Sequence, residues 1–341
     1  MNLKKLTDMM AEAPNSVITV LGDFCLDKYL YIDPDRDELS LETNLTAYQV
    51  THKGIYPGGA GTVVNNLRGL TAQTLCVGVV GDDGEGFELL RALNQVGADT
   101  TYMITDPNRC TSTYTKPMRG KDGNYTELNR LDFKNFEPMK PEIEAKVIEN
   151  MRICAAKSKA LLVLDQFIEE DCGVVNTNVR NAIFQVAKEN PDLIIYADSR
   201  AYIHLFSGVI VKCNNFEVVK SLEPDYAGDE PNAEMVREYG NRLFKKNNRP
   251  VFVTMGKHGI MAFDETGAHH VPAIDVPGPF DICGAGDSAS SGIVLALTLG
   301  ATPEEAALMG NIVASITIQQ IGVTGFATPK QVIQRYKDYC M

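Results

Sequence analysis

Six short apolar runs punctuate the chain, at residues 17–21, 74–80, 160–164, 193–196, 209–211 and 251–254. Longer segments with helical spacing of their apolar residues, such as 86–96 and 141–157, lie between them. Runs apolar at consecutive positions are buried on both faces, and crossover helices join such strands in parallel. The alternation predicts an α/β fold, a doubly wound, mostly parallel sheet flanked by helices. With 341 residues, 44% of them apolar, the chain can build one such domain around a sizeable core. No internal repeat, linker or low-complexity segment interrupts it, so residues 1–341 read as a single folding unit. Near the end, Thr302-Pro303-Glu304-Glu305 supplies an N-cap, a first-turn proline and a capping-box glutamate, and Gly322 is expected to close the helix that follows.

Two stretches depart from this rhythm. Residues 29–56 include Leu45-Thr46-Ala47-Tyr48-Gln49-Val50-Thr51, which has strand propensity without a long apolar run. Residues 109–133 alternate through Thr111, Thr113 and Thr115, then return through Tyr125 to Leu131, with Gly120-Lys121-Asp122-Gly123 as a hairpin turn between. Segments 28–57 and 109–133 are therefore expected to form a small β-sheet lid over the C-terminal edge of the main sheet, where open α/β sheets bind ligands. Two ordinary surface excursions are the alternative. The unpaired edges of such a lid would suit a homodimer formed by lid-to-lid contact.

A net charge of −12 and a pI near 5.0 argue against nucleic acid or an anionic membrane as a partner, since both require a basic surface. The cluster Lys245-Lys246-Asn247-Asn248-Arg249 falls where a helix should end, before a strand at Pro250. No apolar stretch has signal-peptide or bilayer-spanning length. The eight cysteines include no C-x-x-C pair, and the five histidines show no metal-ligand spacing, His269-His270 reading as surface or loop residues. A reduced, cytoplasmic protein is expected.

The chemistry concentrates in Asp281-Ile282-Cys283-Gly284-Ala285-Gly286-Asp287-Ser288, which leads directly into a small, apolar helical stretch. A tight turn of small residues lets backbone N–H groups converge on an anion, and the helix opening adds the positive end of its dipole. Asp287 would repel a phosphate held there unless it takes a proton from an attacking hydroxyl. An ordinary N-cap with a tight connection is the plainer reading of the same residues.

A second glycine cluster, Pro57-Gly58-Gly59-Ala60-Gly61-Thr62, also precedes a helical segment. With both clusters in order, the chain resembles the ribokinase-like sugar kinases of the PfkB family over residues 17 to 326. Within that family it is similar to heptose-7-phosphate kinases through residues 22–29, 57–60, 78–83 and Arg130-Leu131-Asp132-Phe133. The nucleotidyl-transferring half of the bifunctional heptose enzymes has no counterpart in the sequence. The resemblance implies a ribokinase-like fold and transfer of a phosphoryl group from ATP, with Mg2+, to a sugar or sugar phosphate. It gives Asp287 the role of catalytic base and the amides of Gly284, Ala285 and Gly286 that of holding the transferred phosphoryl. Asp27 is the strand-end carboxylate for sugar hydroxyls, beside Gly58, Gly59 and Thr62. Asn214 and Glu217 match N-x-x-E, with Glu217 serving the magnesium. Thr254, Gly256 and Gly259 match T-x-G-x-x-G beside the nucleotide, and Asn311 falls on the adenine side. Plainer readings stand beside these: a loop-starting Asp27, a first-turn helix glutamate at 217, and a hairpin turn at 256–259.

Departures fall on the substrate side. Thr62 replaces the family's asparagine, Lys28 an arginine, and Ser40-Leu41-Glu42 stands for a Ser-Pro-Glu stretch. Cys283 replaces the usual threonine, and a soft thiol there counts against activation by a monovalent cation such as K+. If the acceptor already carries a phosphate, Lys28, Lys53, Lys116, Arg119 and Arg130 are candidates to hold it. Residues 284–289 also fit G-x-G-x-x-A, but a dinucleotide fingerprint needs a first strand before it and an acid-ending strand after it, which are missing. A Walker A loop is absent, since Gly256-Lys257 is followed by His258. A non-catalytic sugar- or nucleotide-binding regulator on a kinase fold is the second reading, with Thr62 and Cys283 as its signs.

Overall fold

The computed structural model describes residues 1–340. Its main sheet has nine strands in the order Gly267–Val271, Ile260–Asp264, Val251–Thr254, Ile210–Asn214, Ile194–Ser199, Ala160–Asp165, Val17–Gly22, Gln73–Gly81 and Met103–Asp106. All six apolar runs lie in it. Pairing is parallel from Met103–Asp106 through Val251–Thr254 and antiparallel for the last two strands. The chain winds outward from Val17–Gly22 in one direction and then the other, so the order reverses there. A reversal of this kind opens a crevice at the C-terminal strand ends.

Burial explains the apolar runs. All six residues of Ala160–Asp165 are buried, and alternate side chains enter different cores. Leu162 and Leu164 pack with Tyr196, Ile293 and Val313 on one face, while Leu161 and Val163 pack with Val147, Ile183 and Val211 on the other. Helices Ala285–Thr298 and Pro303–Thr317 cover the first face, and Pro141–Ala155 and Thr177–Glu189 the second.

The lid is a second sheet, ordered Leu131–Phe133, Thr113–Lys121, Phe24–Ile32 and Val50–Gly59, with Asn124–Glu127 paired to Thr113–Lys121. It begins earlier than residue 28, because Asp23 alone separates Phe24–Ile32 from the first strand. The hairpin turn falls where expected. Lys121 pairs Asn124 across Asp122 and Gly123, both left-handed at φ 51° and 84°. Residues 46–47 form only a two-residue ribbon with 38–39, and the long strand starts at Val50. Three ion pairs tie the lid to the helix Gly84–Gln95: Lys28 Nζ stands 2.9 Å from Glu85 and 3.6 Å from Glu88, and Lys53 meets Glu88.

Three local expectations are corrected. His269 and His270 lie in the edge strand Gly267–Val271 rather than in a loop. That strand pairs antiparallel with Ile260–Asp264, and Ile260–Asp264 with Val251–Thr254, because the connections at 265–266 and 255–259 are too short for a crossover helix. The helix opened by Thr302 ends at Thr317, before Gly322, where the Gln320 side-chain amide takes up the carbonyls of Ile316 and Phe326. Asp27 lies inside Phe24–Ile32, whereas the first strand ends at Gly22. Among the described residues, no helix is long and apolar enough to cross a membrane.

The capping box at Thr302 and Glu305 is present in both directions, and Glu305 also binds Lys5 at 2.5 Å. Thr302→Ala should lower unfolding free energy by about 1 kcal/mol, read as a lower urea midpoint at unchanged slope.

Candidate active site

The helix Ala285–Thr298 opens at the C-terminal edge of the sheet. Its N-cap is Gly284, at φ 73° and ψ 6°, a left-handed conformation that favours glycine. The Ala285 amide donates to the Ile282 carbonyl at 3.1 Å, and the Cys283 amide to Asp281 Oδ1 at 2.9 Å. Among the described residues, the Gly284, Gly286 and Asp287 amides find no acceptor in the chain. These three orphan donors at a helix start make an anion cradle. Of the three expected donors, Gly284 and Gly286 are free and the Ala285 N–H is turned inward, while Asp287 adds a further one.

Asp287 follows on the first turn. Burial pushes its carboxyl up to about 7, helped by the nearby charge of Asp198 and opposed by Lys212; Asp27 raises it further and Arg200 lowers it. A carboxylate that holds a proton near neutrality suits exchange with a hydroxyl.

Beneath the turn lies a polar group that the sequence motifs did not single out. Lys212 and Asp198 are 7% and 5% exposed, and Lys212 Nζ donates to Asp198 Oδ2 at 2.9 Å. A Cβ on Gly286 would stand 3.2 Å from Lys212 Nζ, so the ammonium lies directly under the cradle. Burial acts to lower the proton affinity of Lys212, but the charges of Asp198 and Glu217 outweigh it and keep the ammonium charged. A lysine directly after the apolar run 209–211 and two residues before Asn214 was the signal available for it.

On the lid side, Asp27 faces the same crevice, its carboxyl pushed up by burial and held back by Lys116 and then Arg130. Gly58 lies against it: a Cβ there would stand 2.6 Å from Asp27 Oδ2. Gly59 begins the turn into helix Ala60–Gly69. Thr62, on that helix, donates its hydroxyl to the Pro57 carbonyl at 3.3 Å, and its methyl group would lie 3.3 Å from a Cβ on Gly284. The two glycine clusters, more than 200 residues apart in sequence, therefore meet.

Asn214 and Glu217 form a reciprocal capping box at the start of the short helix Asn215–Lys220, with side-chain-to-backbone bonds of 2.8 and 2.7 Å. The plainer helix-start reading of Glu217 is thus present. Burial and Asp198 nevertheless raise its carboxyl, against Lys212, and keep it within the field of the crevice. Thr254 sits directly across from Asn214 in the sheet, and Gly256 and Gly259 form the hairpin connection after it. Asn311 lies on the helix packed beside Ala285–Thr298, with its amide donating to the carbonyls of Val271 and Pro272 at 3.0 Å each. Those bonds fix the backbone beyond the edge strand and take up both of its N–H donors.

All five lid cations have carboxylate partners. Lys28 and Lys53 meet Glu85 and Glu88, Arg119 meets Asp37, and Arg130 grips Asp132 at 2.7 and 2.8 Å. Lys116 differs in that its carboxylate is Asp27 of the crevice, 3.6 Å away, and it also donates to the Tyr29 hydroxyl at 3.0 Å. Cys283 is exposed at the same mouth.

Residues 23–331 match the sequence profile of the pfkB family carbohydrate kinases, and the chain belongs to that family. It is 26% identical over 98% of its length to the bifunctional protein HldE of Geobacter metallireducens, and 27% identical over 91% to that of Bradyrhizobium diazoefficiens. It spans 65% and 61% of those relatives. Among solved structures, Arabidopsis thaliana ribokinase complexed with ribose and ATP superposes with a TM-score of 0.69 at 19% identity, covering 94% of this chain and 98% of that one. Phosphofructokinase-2 from Escherichia coli in complex with substrates and products gives 0.73 at 16% identity, covering 96% and 100%. The fold is ribokinase-like.

A carboxyl near 7 when folded and about 3.9 when unfolded favours the folded state fully below the lower value, and that contribution is lost as pH rises through the higher one. Asp287→Asn should therefore raise the melting midpoint at pH 8 and leave it nearly unchanged at pH 4, as read by calorimetry.

Proposed function

We propose that this pfkB-family chain transfers the γ-phosphoryl group of ATP to a hydroxyl of a sugar or sugar phosphate, with heptose 7-phosphate as the leading acceptor. The observation that carries this reading is the placement of Asp287, proton-holding near neutrality, among the orphan amides of residues 284, 286 and 287 at a helix start. The acceptor hydroxyl loses its proton to Asp287 as its oxygen bonds to the γ-phosphorus and the bond to the ADP oxygen breaks. The Gly284, Gly286 and Asp287 amides, the helix dipole and Lys212 stabilise the charge on the moving group. Asp27 accepts from sugar hydroxyls, and Gly58 leaves room for the ring. Lys116 is the lid cation best placed to meet an anionic acceptor.

Among the described residues, no three His, Cys, Asp or Glu side chains converge into a cage for a metal ion. Magnesium bound mainly through phosphate oxygens and water fits such a site, with Glu217 as the nearby carboxylate. The ion would neutralise nucleotide phosphate charge. Cys283 gives no hard side-chain oxygen for a potassium ion at its position, so turnover should not require K+.

The seven cysteines described are free thiols, which suits a reducing, cytoplasmic setting. Leu39, Leu41 and Leu45 are exposed on the lid at 68%, 100% and 70%, and a homodimer through the lid would cover them.

Magnesium-dependent ADP release across a panel of sugars and sugar phosphates tests the reaction. One strong acceptor should emerge, and Asp287→Asn should lose on the order of 10²–10⁴ in kcat with nucleotide binding retained. ATP binding without turnover on any acceptor would favour a regulator instead. Gly58→Ala should raise KM for the acceptor several-fold and leave KM for ATP unchanged, because the added methyl group displaces Asp27.

A further inference from the structure

One carboxylate oxygen joins three separate elements under the cradle. Asp198, at the end of strand Ile194–Ser199, accepts through Oδ2 from Lys212 Nζ at 2.9 Å and from Ser290 Oγ at 3.0 Å. Lys212 belongs to the neighbouring strand, and Ser290 lies one helical turn after Asp287. The Tyr196 hydroxyl donates to Ser290 Oγ at 3.1 Å and completes the chain. Tyr196, Ser290, Asp198 and Lys212 are all buried. The opening turns of this helix hold only small residues at Ala289, Ser290, Ser291 and Gly292, and its bulky buried side chains, Ile293, Val294 and Leu295, come after them. In those opening turns the Ser290 hydroxyl supplies a directional tether.

We propose that Asp198 is the positioning residue of this site, setting through Ser290 the rotation of the helix that carries Asp287 and through Lys212 the cation beneath the cradle. The inference rests on the phosphoryl-transfer reading for its kinetic consequence, whereas its structural consequence stands apart from it. Reaction geometry tolerates displacements of only about 0.5 Å, so a loosened first turn lowers turnover more than binding. Asp198 also faces Asp287 as a like charge. The groups around Asp287 are Asp198, Lys212, Asp27 and Arg200, with the thiols of Cys25 and Cys283 nearby. Around Asp198 stand Lys212, Tyr196, Glu217 and Asp165.

The full chain is tested with two variants. Ser290→Ala removes the tether and keeps the Asp198–Lys212 pair, so it should fold. Asp198→Asn keeps an acceptor oxygen at the same place and removes the charge. Carboxyl NMR, which needs no substrate, should find the Asp287 titration midpoint at least one pH unit lower in Asp198→Asn. Hydrogen exchange at the Ser288 amide, bonded to Gly284 at 2.9 Å, should quicken at least ten-fold in Ser290→Ala. With a working acceptor, Ser290→Ala should lose ten-fold or more in kcat while both KM values stay within two-fold. An unmoved midpoint together with unchanged exchange would overturn the proposal. Altered exchange and titration in a protein that turns over no acceptor would uphold the positioning role and defeat the kinase reading.

Discussion

Parallel pairing at the centre of the main sheet is the constraint on which the rest depends. Parallel strands need a covered crossover between them, so helices occupy both faces and the strand ends collect at one edge. Asp198, Asn214 and Thr254 are strand-end residues of that edge, and the Asp287 helix begins beside them. Because the winding reverses at Val17–Gly22, the crossovers on its two sides diverge and leave a crevice. The lid begins one residue beyond that strand, which brings Asp27 over the crevice.

Charge balance then decides what the crevice can do. Asp27, Asp198, Glu217 and Asp287 crowd one region, with Lys116, Lys212 and Arg200 among them. Asp27, Glu217 and Asp287, withdrawn from water, keep their protons to higher pH, while the buried ammonium of Lys212 stays charged because acids surround it. The site therefore offers a proton acceptor and a fixed cation within a few residues of a helix start, at the cost of burying polar groups that must bind one another.

Local sequence carried much of this. The turn 281–288 was legible because its glycines, its acid and the helix after it are contiguous. The N-x-x-E pair was legible for the same reason, although its side chains are engaged in capping as well. Lys212 and Asp198 were not, because each alone is a charged residue in or after an apolar strand, and their meaning comes from a partner in another strand and a serine 92 residues away from Asp198. The lid cations could be named from sequence. Their carboxylate partners could not, since Glu85, Glu88, Asp37 and Asp132 reach them only in the folded lid.

Periodicity, glycine placement and capping signals act over a few residues, so the sequence by itself determined the α/β class, the six strands of the main sheet it marked, the lid hairpin and the helix starting at Pro303. The antiparallel strands at the edge, the start of the lid at Phe24 and the helix end at Thr317 were decided by the tertiary structure. So were the meeting of the Gly58 and Gly284 clusters and the buried linkage through Asp198. Each of these depends on which distant segments share a desolvated space, and desolvation strengthens a polar contact only once packing has excluded water around it.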